Sequence, residues 1–286
     1  MATIRDIRRR IRSARSIQQI TRAMKFVSAA RLRKAQDRVI AARPYASQIL
    51  AVIQSLAARV GKQRHPLLVE RGNKRIELLV ITADRGLCGA YNTNIMRHAL
   101  EFIAGHEGST TELDILGKKG RDFFRRRSFA VRRESVGLLS RPTFAVAATI
   151  SGNLVDDFMK GEFDQAWMVY NEFKSVVHQR VIVEQLLPIP KLETPERETA
   201  VDYLYDEPPE RLLDHVLHRH VEAQVYRALL EAAASEQGAR MTAMEAATNN
   251  AAEMIDSLTL YANKVRQAGI TREIIEVVSG AGSPGR

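Results

Sequence analysis

Residues 241–268, MTAMEAATNNAAEMIDSLTLYANKVRQA, carry the pattern that decides the fold. Apolar or small side chains recur in steps of three and four residues, at Met241, Met244, Thr248, Ala251, Ile255, Leu258, Tyr261, Val265 and Ala268. This spacing places them on one face of an α-helix, as in a coiled-coil strand. The same phase extends back through Leu213, Val216, Ala223 and Leu230. We therefore predict a C-terminal coiled-coil helix over residues 209–286, which opens at Pro208-Pro209.

A second helical run occupies residues 1–60. One stripe consists of Ala35, Val39, Ala42, Ala46, Ile49, Ile53, Leu56 and Val60. An earlier stripe, Ile4, Ile7, Ile11 and Ala14, continues after one shortened step through Ile17, Ile20, Met24 and Val27. The spacing keeps its phase across Pro44, although proline usually kinks a helix. Two continuous helices of roughly 85 and 100 Å are favoured over shorter bundle helices interrupted at Pro44, Gly238 or Gly269.

These two helices are expected to pair with each other in antiparallel orientation. If residue 57 lies beside Glu210, opposed residue numbers sum to about 267, which places Ile20 near Ala247 and Met24 near Ala243. Beyond about Val265 the C-terminal helix then has no partner on its own chain. This segment still carries apolar residues, at Ile270, Ile274, Ile275, Val277 and Val278. An apolar surface of this kind requires a cover from another chain.

The middle of the chain, residues 75–190, alternates between strand and helix patterns. Strands are predicted at 76–82, 113–116, 129–132, 166–172 and 181–187, and helices at 93–105, 118–127 and 145–160. Residues 63–74 and 188–209 are expected to be linkers into and out of this domain. The fold class is thus mixed, a long antiparallel coiled coil of the two terminal helices plus a small Rossmann-like α/β domain.

The loop after the first predicted strand, residues 83–94 with the sequence ADRGLCGAYNTN, is the strongest candidate for a ligand site. Two glycines before a helix could hold a phosphate. However, neither a Gly-Lys-Ser/Thr phosphate loop nor a G-x-G-x-x-G fingerprint is present. Asn92 or Thr93 is adequately explained as a helix N-cap. Cys88, the only cysteine, reads as a small buried residue and excludes an internal disulfide.

Three histidines, His215, His218 and His220, fall close together in the C-terminal helix. His215 and His218 share a helical face with Asp214 and Glu222 nearby, but the pattern lacks a third metal ligand in phase. A solvated helix face is the better interpretation of all three. We expect no metal and no cofactor.

Charge is concentrated in the first helix. Residues 1–60 contain fourteen Lys/Arg and two Asp, a net charge of +12, whereas the whole chain carries +10. Nucleic acid, anionic lipid or an acidic protein surface could each bind such a helix. Only Phe26 and Tyr45 provide aromatic rings in this segment, which disfavours nucleic acid. A basic coiled-coil nucleic-acid-binding protein and a nucleotide-binding Rossmann-like enzyme remain the alternatives. No apolar run is long enough to span a bilayer, and no secretory signal is expected.

Three separated motifs resemble the gamma subunit of F-type ATP synthases, the rotating central stalk. The first comprises IRDIR at 4–8, QQITRAMKFV at 18–27 and RPY at 43–45. The second is TADRGLCG at 82–89, followed by NTN at 92–94. The third comprises SEQGARM at 235–241, NKVRQAGI at 263–270 and the end of the helix. The resemblance covers the chain from end to end.

The resemblance implies a non-catalytic shaft that couples ion flow through a membrane rotor to ATP synthesis or hydrolysis. Its partners would be the alpha and beta subunits of the catalytic hexamer, the epsilon subunit and the membrane rotor ring of c subunits, without nucleic acid or membrane insertion. The implied location is the cytoplasmic side of the bacterial cell membrane, as a peripheral protein. Implied partner-contact positions are Arg8, Arg9, Met24, Lys25, Asp84, Arg85, Cys88, Arg266, Gln267 and Thr271.

Overall fold

The structure is a computed structural model that describes residues 3–59, 65–190 and 209–281. Helix α1 spans Ile4–Arg59 and continues through Pro44, and helix α5 spans Pro209–Ala281 and continues through Gly238 and Gly269. The prediction of two uninterrupted terminal helices is confirmed over these ranges. The predicted seam position Val60 and the linker residues 61–64 and 191–208 lie outside the described residues. None of the helices described is both long and apolar enough to cross a membrane.

The chain divides into two compact units. We call residues 1–27 with 241–286 the terminal unit, and residues 28–240 the sheet unit. The two long helices contribute to both units, because α1 passes from one to the other at residue 27 and α5 at residue 241.

In the terminal unit α1 and α5 run antiparallel. The hydroxyl oxygens of Thr21 and Thr248 lie 2.8 Å apart, and Lys25 Nζ donates to Glu245 Oε1 at 2.6 Å. These opposed residue numbers sum to 269 and 270. The observed register therefore lies within one helical turn of the sequence-based expectation.

The buried face of α1 differs from the predicted one after Ala14. Thr21 and Ser28 are buried, whereas Ile17 and Ile20 are 53% and 58% exposed and Val27 is exposed as well. The predicted shortened step is therefore wrong. The buried face keeps its regular spacing through two small polar residues, because the Thr21 hydroxyl has a hydrogen-bonding partner in Thr248. In α5, Met244 and Ala251 are buried as predicted, but Tyr261 is exposed and Ala262 is half-buried instead.

The described residues of the sheet unit form five strands: β1 (Arg75–Ile81), β2 (Thr110–Leu116), β3 (Val131–Ser135), β4 (Gln165–Phe173) and β5 (Gln179–Leu187). Helices α2 (Tyr91–Ala104), α3 (Lys118–Arg125) and α4 (Phe144–Lys160) connect them. The order across the sheet is β3-β2-β1-β4-β5, with β5 alone antiparallel to its neighbour. The predicted Rossmann-like α/β fold is confirmed. The predicted N-cap is wrong, since α2 begins after Ala90 and Asn92 lies within it.

Side chains of β1 alternate between two cores, as a fully buried strand requires. Leu79 and Ile81 pack on one face, with α4, with residues 213–232 of α5 and with Ile53 of α1. Leu78 and Val80 pack on the other face, with α2 and α3. Helix α5 therefore covers one face of the sheet and belongs to its hydrophobic core. This packing brings residues 231–240 of α5 to the carboxyl ends of β1 and β4.

Candidate functional site

The strand order reverses between β1 and β4, and in open α/β sheets ligands bind outside the carboxyl ends of the strands at such a point. The segment predicted from the sequence as a ligand site, residues 83–94, follows β1 at this position, and its last four residues form the first turn of α2. Its geometry therefore decides whether the sheet unit offers a binding crevice.

Polar groups of this loop are used within the protein. Asp84 Oδ1 accepts from the backbone N–H of Lys118 at 3.1 Å, and Asp84 Oδ2 accepts from the backbone N–H of Gly137 at 2.9 Å. The backbone N–H of Gly120 donates to Thr82 Oγ1 at 2.9 Å. Since α3 begins at Lys118, Asp84 and Thr82 occupy the backbone donors that could otherwise have bound an anion.

Asn92 fastens the same loop from inside α2. Its Oδ1 accepts from the backbone N–H of Ala83 at 2.9 Å, and its Nδ2 donates to Cys88 Sγ at 3.2 Å. Cys88 is only 1% exposed, and burial raises the pKa of its thiol. A protonated, buried thiol is a poor nucleophile, so Cys88 acts as a packing residue of the loop.

Helix α5 fills the space beyond the strand ends. Tyr91 Oη donates to the carbonyl oxygen of Ala232 at 3.1 Å, and Ser235 Oγ donates to the carbonyl oxygen of Asn171 at 3.0 Å. Glu231 Oε2 accepts from the backbone N–H of Phe173, the last residue of β4, at 2.9 Å. The position where related folds hold a nucleotide is thus occupied by a helix of the same chain.

A buried ion pair completes this closure. Arg240 Nη2 donates to Glu236 Oε1 at 2.6 Å, and both side chains are 9% exposed. The same nitrogen lies 3.5 Å from the carbonyl oxygen of Arg85 and 3.3 Å from that of Gly86. Burial raises the pKa of Glu236, and the Arg240 charge opposes that shift. Arg240 therefore ties the loop after β1 to α5.

Of the three contact positions predicted in this loop, only Arg85 has an exposed side chain. Asp84 is half-buried with both carboxylate oxygens engaged, and Cys88 is buried. Cys88 therefore has almost no exposed side-chain surface in the chain by itself, and its contact with a partner stays a prediction. In this loop Arg85 and the neighbouring Leu87 have exposed side chains.

The other predicted contact positions lie in the terminal unit. Arg8 and Arg9 are exposed on α1, and Arg9 pairs with Asp6 at 3.1 Å. Met24 and Lys25 are half-buried, and Lys25 contacts Glu245 of α5. Arg266, Gln267 and Thr271 are exposed on α5, where the Thr271 hydroxyl donates to the carbonyl oxygen of Gln267 at 2.9 Å.

Two apolar surfaces of the terminal unit face away from its core. On α1 the exposed residues are Ile17, Ile20, Phe26 and Val27. On α5 they are Ile270, Ile274, Ile275, Val277 and Val278. Isolated exposed apolar residues are ordinary, but runs on one helix mark an interaction surface.

The histidine cluster divides into two kinds of site. His215 is exposed, and His218 Nδ1 lies 2.8 Å from the carbonyl oxygen of Asp214. His220 is buried, and burial, with the charge of Arg227, lowers its pKa to about 4. The solvated-face interpretation is therefore wrong for His220. Within residues 3–59, 65–190 and 209–281, no group of three or more His, Cys, Asp or Glu is placed to hold a metal.

Sequence reasoning missed the residues that close the strand edge, chiefly Glu236, Arg240 and Tyr91. A usable signal existed for two of them. Glu236 and Arg240 stand four residues apart beside the Ala-rich run of α5, which is the spacing of an intrahelical ion pair.

This combination defines a class of protein: an α/β domain joined to two long terminal helices, whose ligand edge is closed by its own C-terminal helix. A family model described as ATP synthase matches residues 3–283. The ATP synthase gamma chain of Solibacter usitatus is 51% identical over 285 residues, which covers 98% of this chain and 99% of that relative. The ATP synthase gamma chain of Desulfitobacterium hafniense is 48% identical over 281 residues, and the match covers 98% of this chain and 99% of that relative. The chain therefore belongs to the ATP synthase gamma chain family.

Solved structures agree with this assignment. A chain in the cryo-EM structure of the Tetrahymena thermophila mitochondrial ATP synthase, central stalk and c-ring, is 25% identical with a TM-score of 0.61. The match covers 80% of this chain and 99% of that one. A chain in the Euglena gracilis mitochondrial ATP synthase, at 20% identity and a TM-score of 0.68, covers 99% and 97% and shows the same fold.

Proposed function

We propose that this chain is the central-stalk subunit of an F-type ATP synthase and couples ion flow through a membrane rotor to ATP synthesis or hydrolysis in a catalytic head. The observation that carries the proposal is the full-length family match, with gamma-chain relatives near 50% identity. The paired terminal helices and their exposed apolar surfaces are what such a stalk requires. Neither these comparisons nor the described surfaces favour a nucleic-acid-binding protein.

The chain acts mechanically and carries no catalytic residue of its own. The closure of the β1–β4 edge by α5 supports this, because a nucleotide would have to displace Tyr91, Glu236 and Arg240 from their partners. Nucleotide chemistry belongs to the alpha and beta subunits of a catalytic hexamer. Rotation of an asymmetric stalk changes its contacts with each catalytic subunit in turn and so shifts their nucleotide affinities.

The chain has three functional parts. The N-terminal helix, residues 1–60, pairs with the C-terminal helix, residues 209–286, as a coiled coil inside the head. The α/β domain, residues 75–190, joins the epsilon subunit and the ring of c subunits. This places the protein at the cytoplasmic side of a bacterial cell membrane as a peripheral component. Ion transport itself takes place in the membrane rotor.

Contact with the catalytic subunits is made by the exposed residues of the terminal unit. Arg8 and Arg9 provide positive charge, and Met24 and Lys25 add a half-buried contact. Arg266, Gln267 and Thr271 provide a polar band just before the apolar end of α5. In the sheet unit, Arg85 is the contact residue, while Asp84 and Cys88 hold its loop in shape.

A pulldown tests this function. Affinity-tagged chain, expressed in its own host and recovered from detergent-solubilised membranes, should bring down an ATP-hydrolysing hexamer and the c subunits. The purified chain alone should show no ATP binding in calorimetry. Recovery of the chain without the hexamer, or tight ATP binding by the chain alone, would refute the proposal.

The contact residues have a separate test. Arg8→Glu with Arg9→Glu should weaken the coupling of ATP hydrolysis to ion pumping in the assembled complex, because it reverses charge on the proposed contact surface. Arg12→Glu with Arg15→Glu, at two other exposed arginines of the same helix, is the matched control. Equal effects of the two changes would show that helix charge in general, and not this contact, matters.

A further inference from the structure

A cluster of six charged side chains reaches from the exposed edge of the sheet unit into its interior, away from the surfaces described above. We call it the carboxylate–arginine cluster; its members are Glu77, Glu112, Asp114, Arg132, Arg133 and Asp157. They come from β1, β2, β3 and α4. The stalk function proposed for the chain does not use any of them.

The strand register gathers these side chains on one face of the sheet. Glu77 pairs with Glu112, and two residues further along both strands Leu79 pairs with Asp114. Because side chains alternate between faces, Glu77, Glu112 and Asp114 share a face. The register of β2 and β3 shifts between Leu113 and Asp114, so β3 gains one residue there. A bulge of this kind redirects side chains.

The redirection lets two consecutive arginines reach the same carboxylates. Arg132 Nη1 lies 3.3 Å from Asp157 Oδ2, and Arg133 contacts the same oxygen. Arg132 also lies 2.7 Å from Glu112 Oε2 and 3.2 Å from Glu77 Oε2, and Arg133 lies 3.3 Å from Asp114 Oδ2.

The charges in this cluster do not balance. Four carboxylates face two guanidinium groups, and the side chain of Glu77 is 0% exposed. Neither oxygen of Glu77, nor Asp114 Oδ1, has a hydrogen-bond partner, since Arg132 approaches Glu77 at ion-pair distance without hydrogen-bond geometry. On the β4 side the neighbour of Glu77 is Ala166, which carries no charge. A buried carboxylate in these surroundings is strongly disfavoured unless it gains a proton.

We propose that Glu77 and Asp114 bind one proton between them, so that the sheet unit contains a buried proton-binding site. The proton resides on Glu77, whose carboxyl O–H donates to the Asp114 carboxylate. This single bond gives a partner to one orphaned oxygen on each residue. It also reduces the excess negative charge of the cluster, so that its net charge changes from −2 to −1.

The electrostatics of the site agree with this arrangement. Burial, followed by the negative charge of Asp114, raises the pKa of Glu77 from 4.5 to about 8, and Arg132 opposes the shift. Burial also raises the pKa of Asp114, against the charge of Arg133. Because the folded chain holds this proton more tightly than the unfolded chain, its contribution to stability is complete below pH 4.5. The contribution falls as pH rises and is lost above about pH 8.

Unfolding of the full chain in urea, measured across this pH window, tests the site. Glu77→Gln keeps a hydrogen-bond donor toward Asp114 but binds no proton. The ratio of the unfolding equilibrium constants, wild type over variant, should increase by up to about tenfold per pH unit between pH 4.5 and about 8. The matched control is Glu112→Gln, which removes one negative charge from a more exposed glutamate that also contacts Arg132. This control should keep the pH dependence of the wild type.

Carboxyl carbon NMR of the wild-type chain gives a second readout that does not depend on the variant folding. With carbon-13 in glutamate side chains, the carboxyl resonance assigned to Glu77 should titrate with a midpoint near pH 8. The proposal is overturned if the resonance assigned to Glu77 titrates near 4.5. It is also overturned if Glu77→Gln retains the full pH dependence of the wild-type chain.

Discussion

Replacing Arg240 with methionine tests the closure of the strand edge by α5. Methionine preserves most of the length and apolar volume of the side chain but removes the charge that pairs with Glu236. It also removes the donor that reaches the carbonyl oxygens of Arg85 and Gly86 at 3.5 and 3.3 Å. The perturbation is therefore confined to the contact between α5 and the loop after β1.

The expected cost follows from burial. Both members of the pair are 9% exposed, so Arg240→Met leaves a carboxylate uncompensated in the interior, which costs about 3–5 kcal/mol in comparable buried pairs. The double variant Glu236→Gln with Arg240→Met removes both charges and should recover most of this loss. At low pH the single variant should also lose less stability, because protonation of Glu236 then neutralises the orphaned group.

Urea unfolding at neutral pH gives the free-energy change, and hydrogen exchange of residues 84–88 shows whether the loop is released. Arg97→Met is the matched control, because Arg97 and Glu101 form an exposed pair at the same i,i+4 spacing. That change should cost about 0–1 kcal/mol. A cost below about 1 kcal/mol for Arg240→Met, with unchanged exchange in the loop, would refute the closure argument.

Three further results are expected. Cysteines at Thr21 and Thr248, in a chain lacking its native cysteine, should form a disulfide, since the two hydroxyl oxygens lie 2.8 Å apart; failure to crosslink would contradict the register. Gly117→Ala should lower the free energy of unfolding in urea by more than about 3 kcal/mol, because φ is +98° and a Cβ would lie 2.0 Å from a backbone carbonyl oxygen. Gly152→Ala is its control: this glycine has open space around it, so the change should be neutral or stabilising. The wild-type chain should lose stability as pH falls from 6.5 toward 4, because the unfolded chain protonates His220 while the folded chain resists protonation of this buried ring. His220→Gln should remove this loss. The assignment would be disproved if the variant lost as much stability as the wild type over the same pH range in chemical denaturation.

The sequence predicted the elements well where one periodicity dominated. Strand β1 ends in the apolar run of residues 78–81, and its surroundings leave no competing pattern. The buried face of the first helix is harder to predict, because two sets of residues on this helix both recur at helical spacing. Ile17 and Ile20 look more like core residues than Thr21 and Ser28 do, yet the core uses the polar pair. Only the contact with Thr248 distinguishes them, and periodicity carries no information on contacts.

Contacts between residues far apart in the sequence limit the prediction of the candidate site as well. The loop after β1 was located correctly from its glycines and its position after a strand. Its closure depends on Arg240, which lies 155 residues from Arg85 along the chain. Local sequence predicts a helix cap at Asn92 or Thr93, because asparagine and threonine are common at that position, whereas in the folded chain Asn92 accepts from the backbone N–H of Ala83. Contacts of this separation are set by how α5 crosses the sheet, which no local pattern encodes.

Rotation of the chain within an assembled ATP synthase is the most direct test of the central claim. Val177, in the turn between β4 and β5, is 82% exposed, so a cysteine there can carry a fluorescent or bead probe once Cys88 has been replaced. With the catalytic head fixed to a surface and ATP supplied, the probe should turn stepwise in one direction. A probe that stays stationary while the head hydrolyses ATP would contradict the assignment of this chain as the rotating stalk.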